Sequence, residues 1–142
     1  MAGTVVADTL QADSTSTLVI KNGVANTPPT IQDSAGTQIG TFCRAWVNFN
    51  GTLATPITPR ASFNISSVTK AATGDYTVNF TTAMSDANYA VTAALGGSTI
   101  LGADLTLLGA TAPTTSAIRI GTRQTTSGIL VDTTYVDIAV FR

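Results

Sequence analysis

Three stretches of this chain alternate apolar and polar residues at a period of two, and that period governs what the chain can fold into. In "GDYTVNFTTAM", Gly74 to Met84, Tyr76, Val78 and Phe80 fall on one side and Thr77, Asn79 and Thr81 on the other. "FCRAWVNFNGT" repeats the pattern with Ala45, Val47 and Phe49, and "TYVDIAVFR" with Val136, Ile138 and Val140. Successive side chains of a strand point to opposite faces, so each stretch predicts a strand buried on one side only. Composition points the same way: Thr supplies 27 of the 142 residues, and all eight acidic residues are Asp. Thr is stiff at χ1 and suits a pleated surface, whereas the long polar residues that favour helices are scarce. The chain reads as all-β.

Further strands are predicted at "ASFNISSV", "NYAVTAAL", "ADLTLLGA", "SAIRIGTRQ" and "GILV". Asn50-Gly51, "TKAATG" and Gly96-Gly97 read as turns, and "LATPITPR" as a loop, because Pro56 and Pro59 have no place in a central strand. About seven or eight short strands, spaced by roughly ten residues, predict an antiparallel β-sandwich or jelly-roll-like domain over residues 42–142. Residues 1–41 differ. They hold no aromatic residue and only the short apolar clusters Val5-Val6, Leu10 and Leu18-Val19-Ile20. Pro28-Pro29 and Ser34-Ala35-Gly36 then break the chain. So little apolar bulk builds no core, so the segment is expected to be an extended N-terminal attachment arm and linker. Val5, Val6, Leu10, Leu18 and Ile20 are its candidates for docking on a partner or a neighbouring subunit.

The residues that would carry neutral-pH chemistry are missing. Without His or Glu, and with Cys43 as the single cysteine, neither a general base of the usual kind nor an ordinary zinc site can be assembled. Two aspartates could serve a glycosidase, but in one uninterrupted strand the odd spacing of Asp132 and Asp137 would put them on opposite faces. Asp86 and Asn88 lack the remaining ligands of a calcium loop, and Gly96-Gly97 lacks the lysine of a phosphate loop. The expectation is therefore no enzyme, no catalytic residue, no metal and no cofactor. The two Asn-x-Ser/Thr matches, at Asn64 and Asn79, are what a Thr- and Ser-rich chain shows by chance.

Net charge is −1, and the seven basic residues are scattered. That leaves no footprint for nucleic acid, and a surface so weakly charged suits a subunit packed against copies of itself. A lone cysteine rules out an intrachain disulfide, and Cys43 reads as a small buried residue. No basic leader opens the sequence and no apolar run nears the ~20 residues of a membrane helix. Synthesis in a cytoplasm and no membrane partner are expected. One position invites a ligand: Trp46 has the opposite parity to Ala45 and Val47 and shares a face with Arg44 and Asn48. An indole beside an Arg and an Asn suits either a sugar ring, through stacking and hydrogen bonds, or a protein interface.

"CRAWVNFNGT", "ASFNISSVT", "GDYTVNFTTAMSDANYAV" and the terminal "VDIAVFR" resemble a tail-fibre-like module of virion structural proteins in tailed bacteriophages, frequent among marine and cyanobacterial phages. The preceding "PPTIQDSAGTQIG" is similar to the linker before that module. The likeness covers residues 28–92 and the C-terminal strand. It departs at "LATPITPR", where a shorter loop without proline is usual, and over the variable residues 95–134. It implies a virion component, a homo-oligomer of trimeric type, with other virion proteins and a host-surface glycan as partners. A short tail-fibre or adsorption protein is the first expectation, with a capsid decoration (cement) protein and a carbohydrate-binding module as alternatives.

Overall fold

The computed structural model describes residue 20 and residues 29–97, 103–108 and 112–142. Among these residues there are ten β-strands and no helix. The first two strands, β1 (Ile31–Gln32) and β2 (Gln38–Gly40), pair with each other. They close on the Ser34-Ala35-Gly36 turn, where Asp33 Oδ1 accepts the amides of Ala35 and Thr37 at 2.9 Å each. Gly36 takes φ +81°, a conformation open to glycine. Ile31 and Ile39 remain exposed on this hairpin. Of the arm residues expected to dock, Val5, Val6, Leu10 and Leu18 lie outside the described residues, and Ile20 is exposed.

The other eight strands form two antiparallel four-stranded sheets. One runs in the order β4 (Ala61–Phe63), β3 (Cys43–Phe49), β10 (Tyr135–Phe141) and β7 (Ala90–Gly96). The other runs β5 (Ile65–Ala72), β6 (Asp75–Phe80), β9 (Ala117–Gln124) and β8 (Ala103–Leu107). Their inner faces make one core. Ala45, Val47 and Phe49 of β3 and Val136, Ile138 and Val140 of β10 meet Val68, Tyr76, Val78, Phe80, Ile118 and Ile120 from the opposite sheet. Ile57 and Met84 complete the core from the connecting loops. Edge-to-face ring pairs, Phe49–Tyr76 at 5.2 Å and Phe80–Tyr89 at 5.8 Å, reinforce it. The predicted antiparallel sandwich is the fold.

Three local readings change. "ASFNISSV" is two strands, because Asn64 adopts φ +58° and sends β4 and β5 into different sheets. Asn tolerates this left-handed conformation, and its side chain secures the corner. Nδ2 donates to the carbonyls of Arg44 and Thr82 at 3.0 Å, and Oδ1 accepts the Thr82 amide at 2.7 Å. "TKAATG" is mostly strand: β5 continues to Ala72, and the turn contracts to Thr73-Gly74, with Gly74 at φ +66°. "GILV" is a loop segment that follows β9 by single contacts, with the Val131 amide bonded to the Thr122 carbonyl at 2.9 Å. It lies along the short stretch of β9 beyond the last β6 pair, Asp75–Gly121, where the Gln124 amide also bonds the Ile129 carbonyl at 2.9 Å.

Candidate binding face

Trp46 and Asn48 share the outer surface of the β4-β3-β10-β7 sheet, where Trp46 is 40% exposed, and Arg44 sits at a register shift between β3 and β10. Strand register lays the neighbours out in rows. Phe63, Trp46, Ala139 and Thr92 stand side by side from β4 to β7, and Ala61, Asn48, Asp137 and Ala94 form the next row. In the first row bulk stands on β4 and β3, and small residues on β10 and β7. The difference in height opens a groove of about 370 Å³, lined by Trp46, Asn48, Thr92, Ala94, Asp137 and Ala139 among others. Phe63, at 55% exposed, extends the aromatic side of this face beyond the groove.

Polar groups at the groove's edge are tied into a chain. Asn48 Nδ2 donates to Asp137 Oδ1, and Asn48 Oδ1 accepts from Arg60 Nη1 at 3.3 Å. Arg60 Nη2 donates to the Thr134 carbonyl at 2.8 Å, while its guanidinium lies 4.5 Å from the centre of the Tyr135 ring. With its oxygen engaged by Arg60, the Asn48 amide must turn its NH₂ toward Asp137. Asp137 keeps Oδ2 without a hydrogen-bond partner among the described residues.

Sequence parity identified Trp46 and Asn48 but missed Phe63, Arg60, Tyr135 and Asp137 as members of the same face. Alternation in "TYVDIAVFR" does place Tyr135, Asp137 and Ala139 on one side, which was the available signal. Their meeting with β3 depends on the β3–β10 register, in which Asp137 pairs with Asn48 across 89 residues of sequence.

The other carboxylates have structural partners. Asp132 precedes β10 in a loop, so it and Asp137 do not belong to one strand. At the end of the sandwich, Asp132 Oδ2 meets Lys70 Nζ at 2.6 Å, and Oδ1 accepts the Gly74 amide and faces the Tyr76 hydroxyl, each at 2.8 Å. Burial works to raise the Asp132 pKa, but the Lys70 ammonium, the Gly74 amide and the Tyr76 hydroxyl together hold it below the ordinary carboxylate range. Burial first, and then Asp132, push the Tyr76 phenol well up. On the other sheet, Arg119 Nε donates to Asp75 Oδ1 at 2.9 Å and lowers the pKa of that buried carboxyl. Among the described residues, no three His, Cys, Asp or Glu side chains gather as a metal site would require. Cys43 is half-buried, its thiol 3.3 Å from the Ala45 carbonyl.

No family model matches the chain, and no curated protein matches it. Among solved structures, it is similar to the phiAB6 tailspike in complex with three-repeated oligosaccharides of Acinetobacter baumannii surface polysaccharide. The alignment covers 96% of this chain and 30% of the tailspike chain, at 16% identity and a TM-score of 0.40.

Proposed function

We propose that this chain is a non-catalytic structural subunit of a bacteriophage virion, a short tail-fibre or adsorption-type protein. In this reading it grips a host-surface glycan on the outer face of the β4-β3-β10-β7 sheet. The observation that carries the binding role is the groove itself: an exposed indole beside a floor of small residues, edged by an ordered Arg60–Asn48–Asp137 chain. Glycan sites are built from such parts, an apolar ring face for stacking and a few fixed polar groups for orientation. The virion assignment is supported by the resemblance of residues 28–92 and the last strand to the tail-fibre-like module.

Trp46 is the chain's single tryptophan, so its fluorescence reports directly on the groove. A panel of purified bacterial surface polysaccharides should include at least one that shifts this emission. That polysaccharide should be retained by the wild-type protein and released by Trp46→Ala, with the circular dichroism spectrum unchanged. Reducing ends should stay at background throughout, because the protein binds without cleaving. Retention by Trp46→Ala equal to wild type would remove the groove from the binding role. Copy number relative to the major capsid protein separates an adsorption protein, present at a few positions, from a decoration protein spread over the shell.

A further inference from the structure

We infer that the groove is a subsite for a neutral hexopyranose, with Trp46 against the ring face and Asp137 as the fixed acceptor for its hydroxyls. This rests on the glycan reading above and narrows it to one class of sugar. The decisive point is which hydrogen-bonding groups remain available. Asn48 gives one N–H to Asp137 and its oxygen to Arg60. Arg60 is committed to the Thr134 carbonyl, to Asn48 and to the Tyr135 ring. What the groove lining still offers is one charged group, the Asp137 carboxylate, which only accepts, beside three neutral ones: the Thr92 hydroxyl, the Trp46 indole N–H and the second N–H of Asn48.

Such a site selects by charge. A uronic acid or a sulfated or phosphorylated sugar would bring its anion against Asp137, with no uncommitted cationic donor in the groove lining to offset the repulsion. A neutral ring presents donors to the carboxylate and CH groups to the indole, and it meets no such penalty. The spacing also fits: Trp46 pairs with Ala139, so Asp137 is its diagonal neighbour, about 7–8 Å away between Cα atoms. One sugar residue bridges that span.

The test uses the full chain and three proteins: wild type, Asp137→Asn and Trp46→Ala. The amide in Asp137→Asn keeps an oxygen for Asn48, and a thermal melt checks that it folds. Saturation-transfer NMR and Trp46 emission are followed against the methyl glycosides of glucose, galactose and mannose, and against the methyl uronides of glucose and galactose. Wild type should bind at least one neutral glycoside, and its uronide at least about tenfold more weakly. Asp137→Asn should narrow that gap to within about threefold, mainly by accepting the uronide. If the gap persists in Asp137→Asn while Trp46→Ala abolishes binding, the acceptor assignment is overturned and the glycan reading stands. If the uronides bind wild type as well as the neutral sugars do, the charge argument is overturned. If no glycoside binds, the subsite is overturned, and polysaccharide retention then decides whether the glycan reading survives.

Discussion

Asp132 shows how one side chain closes the end of the sandwich. It joins Lys70 at the end of β5, the Gly74 turn and the Tyr76 hydroxyl at the start of β6, and Lys70 and Tyr76 in turn reach the Gly51 carbonyl at 3.1 and 2.9 Å. Four chain segments therefore depend on a single carboxylate. In the unfolded chain an Asp titrates at about 3.9, and in the folded protein Asp132 titrates lower. Its contribution to stability is fully present above the unfolded value and is lost as pH falls through the folded one. Asp132→Asn keeps acceptors for the Gly74 amide but sets an amide against the Lys70 ammonium. It should cost about 1.5–3 kcal/mol at pH 7, the range for a hydrogen bond to a charged group. Urea midpoints for both proteins at pH 7 and pH 3 check this, and the difference should shrink at the lower pH. A difference that does not change with pH would mean that the carboxylate's charge plays no part. Asp75, lowered by Arg119, acts in the same window and remains in the variant, so the subtraction isolates Asp132.

At the scale of strands, β3, β6 and β10 were legible because each buries one face completely, and alternation then leaves no freedom of register. Phe80 of β6 sits in the core against Tyr89, and Phe80→Ala should cost about 3–5 kcal/mol in a reversible denaturant titration. A loss below about 1 kcal/mol would contradict the burial of that face. The break at Asn64 was not legible. Continuous alternation through "ASFNISSV" puts Phe63 and Ile65 on one side, whereas the left-handed residue between them resets the count. Phe63 ends up on the outer face and Ile65 against the core. The two tasks of Asn64, conformation and hydrogen bonding, can be separated. Asn64→Gly removes the bonds to Arg44 and Thr82 but keeps the φ, while Asn64→Ala removes the bonds and strains the backbone. The alanine variant should therefore be the less stable of the two by about 1–2 kcal/mol, the cost of a left-handed conformation for a residue with a Cβ. Equal midpoints would show that side-chain bonding alone holds the corner. The candidate face was half legible for a related reason: parity assigns residues to a side, but only the tertiary register decides that Arg60 reaches Tyr135 and Asn48 reaches Asp137.

For the whole molecule, the question is whether the segment before the sandwich is part of its stability or only of its attachment. Among the described residues, the buried core draws its members from between Ala45 and Val140. The β1–β2 hairpin pairs with itself, and its Ile31 and Ile39 stay 43% and 65% exposed. Among the described residues, the groove lining likewise lies between Trp46 and Ala139. Where the chain enters the sandwich, the Thr41 hydroxyl bonds the Arg142 carbonyl at 2.9 Å, a contact that a chain beginning at Thr41 retains. Ordering the first forty residues costs about 1–2 kcal/mol each in backbone entropy, and their scattered Val, Leu and Ile offer little burial to offset it. A surface from another subunit or virion protein would supply that burial, most simply by strand addition. A chain starting at Thr41 should therefore keep its β-type circular dichroism, a cooperative melt and the Trp46 response to polysaccharide. It should fail to join particles when supplied in trans to a virus lacking the protein. A truncated chain without a cooperative melt would make the first forty residues part of the folding unit. One that folds, binds polysaccharide and still enters virions would move the attachment surface onto the sandwich, leaving the weakly charged outer faces of its two sheets as the places to look.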